Sequence, residues 1–132
     1  MKLKKKEPYY KALFLIAAIY DTLLGFIFLF FYKIIYEILN IPLPQYPSYI
    51  SLSAAFVFVI GLGYYLVYRN LYANRDLVKI GAIYKLAYFL VVTYYFFFGI
   101  LPHILFLVFG IIDFIFLILF LEFLSSTKNK SF

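Results

Sequence analysis

Four long apolar stretches organise the chain, at about residues 10–32, 48–68, 80–100 and 102–123. Each reaches the roughly 20 residues that a helix needs to cross a hydrocarbon core of about 30 Å. A backbone inside lipid must satisfy its own N–H and C=O groups, which selects helix for such runs. The pattern predicts an all-α integral membrane bundle of four transmembrane helices, a single unit over residues 1–132 with no room for a soluble domain. Between the first two runs lies "KIIYEILNIPLPQYP". Here Ile34, Ile35, Ile38 and Leu39 share one helical face while Lys33, Glu37 and Asn40 point away. That predicts a short amphipathic segment over about 33–41, lying in the membrane interface. Pro42, Pro44 and Pro47 then impose an extended path. The second and third runs are joined by the polar "RNLYANRDLVK". The third and fourth are nearly continuous, which predicts a tight antiparallel hairpin with Pro102 in the first turn of the last helix. The polar tail "SSTKNKSF" is expected to fray. The basic start leading into the first run has the look of a signal peptide. The run continues well past a signal h-region and no small-residue cleavage site follows, so it reads as an uncleaved span.

Charge adds the orientation. Of the 12 Lys and Arg residues, Lys2, Lys4, Lys5, Lys6, Lys11, Arg69, Arg75, Lys79, Lys128 and Lys130 fall on the side that holds both termini. Only Lys33 falls on the other, and Lys85 lies inside a span. This asymmetry predicts cytoplasmic N- and C-termini. The net charge of +6 is then explained by topology and attraction to anionic lipid heads, with no nucleic-acid partner. Composition agrees: 67% of residues are hydrophobic and 14% charged, against about 45–50% and 25% in soluble domains. Tyr9, Tyr10, Tyr64, Tyr65, Tyr68 and Tyr72 are expected at one interface and Tyr46, Tyr49, Tyr94 and Tyr95 at the other, as aromatic belts.

Three ionisable residues interrupt the spans: Asp21, Lys85 and Asp113. A charge at the centre of a span costs on the order of 2.5–3.5 kcal/mol on insertion scales, so such residues face the bundle interior and find partners. Helical rise puts Asp21 roughly 15 Å past Lys11 and Asp113 roughly 13 Å before Glu122. The two carboxylates therefore share one level near the midplane. Lys85 lies roughly 9 Å beyond Lys79, and its stem can bridge the gap or snorkel back to water. Small residues accompany each acid: Ala17 and Gly25 share a face with Asp21, and Gly110 with Asp113, the spacing that lets helices approach. Ser51 and Ala55 form a small stripe in the second span. Tyr88 shares a face with Lys85 and Gly81, within reach of an acid.

Two readings of these charges stay open. One is a structural clamp that fixes which helices meet. The other is a site that binds or passes a proton, a cation or an amphipathic ligand. His103, at the outer end of the fourth span, is a secondary candidate for proton exchange because histidine titrates near neutrality. Glu37 and Glu122 read as solvated boundary charges. The chain has no cysteine and one histidine, which excludes thiolate and two-histidine metal sites within one chain. "GLGYYLVY" lacks the spacing and the strand–turn–helix context of a dinucleotide fingerprint; Gly61 and Gly63 read instead as points of close helix contact or mild kinking. No spacing points to a catalytic constellation or a cofactor. The lipid bilayer is the expected partner, with a second copy or a larger membrane protein as a further one.

Four spans, cytoplasmic ends, and glycine and acidic residues inside spans make the chain similar to small four-span prokaryotic membrane proteins of the DoxX-like group. The resemblance is one of architecture. It implies residence in a prokaryotic plasma membrane and assigns no residue a role.

Overall fold

A computed structural model describes residues 2–128, with side chains from Lys5 onward. The end of the polar tail, with Lys130, and the side chains of Lys2 and Lys4 lie outside the described residues. The fold is all-helical: α1 (Lys2–Ile38), α2 (Ser48–Arg69), α3 (Arg75–Phe97) and α4 (Ile104–Ser126). All four are long and apolar enough to cross a membrane. The helices run up and down in sequence order. Each neighbours the next and α4 closes back on α1, so α1 faces α3 across the bundle. Packing is closest within the pairs α1–α2 and α3–α4, so the bundle consists of two hairpins laid together.

Sequence chemistry explains where helices stop. Asn40 adopts the left-handed conformation at φ 57°, and its N–H bonds the Glu37 carbonyl while that of Ile41 bonds the Tyr36 carbonyl. Gly99 does the same after α3 at φ 71°, with N–H bonds from Gly99 to Phe96 and from Ile100 to Tyr95. Both are the paired closing bonds of a Schellman motif, which needs a residue tolerant of positive φ. The Asn74 side-chain amide donates to the carbonyls of Leu66 at 2.9 Å and Asn70 at 3.0 Å, satisfying the end of α2. The Arg75 guanidinium donates to the Leu124 carbonyl at 2.8 Å and to Thr127 Oγ1 at 2.9 Å. A cation there also suits the negative end of the α4 dipole.

Boundaries differ from expectation in three places. The first span and the interfacial segment form one helix, broken only at Phe31, whose φ of −125° and ψ of 22° are not helical. The polar link before α3 shrinks to Asn70–Asn74 because Arg75–Lys79 is already helical. Pro102 lies outside α4, and His103 is its N-cap: His103 Nδ1 accepts the Leu105 N–H at 3.0 Å.

The core fills only one half of the bundle. At the end that carries both termini, Tyr10, Phe14, Ala17, Tyr64, Val67, Val78, Phe120 and Phe123 are buried. Phe14 stacks on Phe120 at 5.0 Å and meets Phe123 edge-on at 5.1 Å. Lys6 pairs with Glu122 at 3.2 Å, and the Tyr9 and Tyr10 hydroxyls donate to the same carboxylate. Glu122 is thus the hub of a network and not a lone boundary charge. Tyr72 donates to Glu7, and desolvation together with that carboxylate raises its phenol above the ordinary value. Toward the other end burial falls away. Past Gly25 on α1, before Ala54 on α2, past Val92 on α3 and before Gly110 on α4, no described residue is fully buried.

Candidate functional site

Asp21, Lys85 and Asp113 meet where the packed half ends. Lys85 Nζ donates to Asp21 Oδ2 at 2.7 Å and to Asp113 Oδ1 at 2.8 Å. Relative exposures are 0% for Lys85, 1% for Asp21 and 5% for Asp113. Local packing explains how the three converge. Gly25 brings α1 against α2: a Cβ there would stand 2.8 Å from the Ala54 carbonyl oxygen and from the Phe58 Cα. Gly61 admits the α1 backbone at Thr22 in the same way. With α1 drawn onto α2, Asp21 points across the bundle at α3. The butylammonium stem of Lys85 crosses that space and also reaches the adjacent α4. Lysine's length is what lets one residue bond both a diagonal and a neighbouring helix.

Aromatic rings close the triad. The ammonium lies 5.0 Å from the ring centre of Phe116, 5.4 Å from Tyr20, 5.5 Å from Tyr64 and 5.6 Å from Tyr84. Ring faces at such distances attract a cation, more so when it is desolvated. Tyr64 further donates to the Gly81 carbonyl at 3.4 Å. The Tyr20 hydroxyl and Thr93 Oγ1 are enclosed without a hydrogen-bond partner. One ammonium against two carboxylates leaves a formal charge of −1. Each acid is an acceptor for one N–H, so the site holds the three helices together by charge-assisted bonds.

A cleft opens one helical turn beyond the triad, toward the end opposite the termini. Its volume is about 320 Å³. Gly25, Tyr88 and Phe109 line it, and they stand one turn from Asp21, Lys85 and Asp113 respectively, on the same helix faces. The three charged residues do not line it. Ser53, Val57 and Tyr49 of α2 and Tyr36, beyond the break at Phe31, complete the wall. The Phe31 break thus carries a tyrosine to the cleft.

Several candidates stand elsewhere than the spacing suggested. Tyr88 bonds neither acid; its hydroxyl donates to the Phe106 carbonyl at 3.4 Å, because α4 lies alongside the ring. His103 is engaged in capping α4. In α2 Ala54, beside the Ser51–Ala55 stripe, is buried, while Ser51 and Ala55 are half-buried. Gly61 makes the expected close contact but Gly63 faces open space. Tyr64, expected in an interfacial belt, belongs to the cage around Lys85. The cage escaped the sequence reading, yet a signal was there: Tyr20 adjoins Asp21, Tyr84 adjoins Lys85, and Phe116 follows Asp113 by three. Among the described residues no group of three His, Cys, Asp or Glu could hold a metal ion. No family model, curated protein or solved structure matches the chain.

Proposed function

We propose that this chain is a small integral membrane protein, both termini cytoplasmic, whose charge triad locks two helical hairpins and whose open half holds an amphipathic molecule. The observation that carries the reading is the separation of the two features. The triad is closed on itself, with Lys85 bonded to both acids and shut in by rings. The cleft beside it is concave, aromatic and apolar with a few hydroxyls, the usual make-up of a small-molecule pocket. The same level that divides packed from open interior divides the basic terminal end from the far end, where Lys33 alone is basic. That asymmetry supports a cytoplasmic packed half and an outward cleft.

The test is thermal unfolding in detergent with added decanol. A ligand of the folded state raises the midpoint. Wild type and Val59→Phe, whose residue is 62% exposed on the outer surface, are expected to respond alike. Val57→Phe, which fills the cleft, is expected to lose the response. An undiminished response in Val57→Phe would remove the cleft as the binding site. A second reading is an accessory subunit of a membrane complex, favoured by the direct Asp–Lys contacts. Absence of any decanol response in wild type would bring that reading forward.

A further inference from the structure

Resting on the cleft as a ligand site, we infer that its occupant is an uncharged lipid, seated with its polar head at the mouth and its chain toward the triad. The argument begins with charge. None of the residues lining the cleft is Lys, Arg, Asp or Glu. The ionised side chains nearest its floor are already paired with one another at 2.7 and 2.8 Å. A charged head at such a site finds no counter-ion in the wall, whereas a hydroxyl or carbonyl head finds hydroxyl partners there.

Polarity along the cleft then sets the direction. Tyr36 and Tyr49 bring hydroxyls to the far end, and Ser53 adds one about halfway down. No hydrogen bond among the described residues engages those hydroxyls. Tyr49 is 68% exposed, so this end is accessible. Deeper, the wall is Leu24, Gly25, Ala54, Val57 and Phe109. The one hydroxyl there, on Tyr88, is already bonded to the Phe106 carbonyl. From Tyr49 to Val57 the cleft descends roughly 12 Å along α2. Polar at the surface and apolar toward the midplane is also the profile of the lipid leaflet into which this half of the bundle would project. A lipid entering sideways keeps the orientation it has in the membrane, with hydroxyl or carbonyl groups of the head meeting the tyrosines. Lys33 and Glu37 flank the segment outside the cleft and are exposed; being of opposite sign, they favour neither an anionic nor a cationic head.

The experiment uses wild-type protein in phosphatidylcholine vesicles and two photoreactive decanol analogues, one with a diazirine at the chain end and one beside the hydroxyl. Labelled residues are mapped by peptide mass spectrometry. Decanol, decyltrimethylammonium and decanoate then compete for the labelled site. The expected result is competable labelling of Val57 and Phe109 by the chain-end probe and of Tyr36, Tyr49 or Ser53 by the head probe. Decanol should compete about tenfold better than either ion, a ratio of the size that one net hydrogen bond supplies. Reversed labelling, or an ion that competes as well as decanol, would overturn the inference while leaving the cleft a binding site. No competable labelling of the cleft by either probe would instead remove the site itself, and this inference with it.

Discussion

The two ends of the bundle are built from the same kinds of residue and packed in opposite ways. At the terminal end, aromatic rings stack into a closed core from Tyr10 to Phe123, and the ends of α2 and α4 there are tied by Asn74 and Arg75. At the far end, Phe26, Phe30, Phe97 and Phe98 are as apolar, yet they face outward. Composition does not make the difference. Small residues and a long cation do: Gly25, Gly61 and Lys85 draw the helices together up to one level, beyond which burial falls away. The bundle is thus closed on one side of the charge lock and holds a cleft on the other.

That contrast can be broken most directly at the lock. Lys85→Met leaves two carboxylates buried without their cation, and removing one partner of a buried pair costs about 3–5 kcal/mol. Thermal unfolding in detergent should show that loss, and Asp21→Asn with Asp113→Asn added to Lys85→Met should restore most of it. An unchanged midpoint in Lys85→Met would mean the halves do not depend on the triad. Next in size is Gly25→Ala. Its Cβ would meet α2 backbone, and overpacking of this kind costs about 1–3 kcal/mol. Gly63→Ala serves as the control: open space surrounds it, so greater helix propensity should stabilise by up to about 1 kcal/mol. Arg75→Ala removes two hydrogen bonds that close α4, for about 1.5 kcal/mol. Hydrogen exchange should rise in the last turn of α4 and not around the cleft. The smallest effect is expected in the open half, where Val57→Phe should change stability by no more than about 0.5 kcal/mol while abolishing the decanol response.

Depth along a helix was legible in the residues, because rise per residue is constant: Asp21 and Asp113 do stand at one level, with Lys85 between them. Helix existence was equally legible from apolar length. Which helices are neighbours was not. Spacing alone says nothing of the diagonal from α1 to α3 that Lys85 crosses, nor that α4 lies close enough to take the Tyr88 hydroxyl. Glu122 looked solvated because its partners, Lys6, Tyr9 and Tyr10, are more than a hundred residues away in sequence. The cleft was invisible for the same reason: a void is a property of several helices at once. The break at Phe31 has no glycine, proline or serine to announce it.

The lock also sets a timetable for synthesis. Asp21 leaves the ribosome 64 residues before Lys85, and Asp113 follows Lys85 by 28. While the first hairpin is being made, its acid has no lysine partner, although α1 already packs along α2. The second hairpin arrives with its own ammonium and carboxylate already in one piece and supplies the missing counter-charge to the first. A chain that stops after α2 leaves that carboxylate without its lysine. Concealment of the first acid therefore waits on the second hairpin.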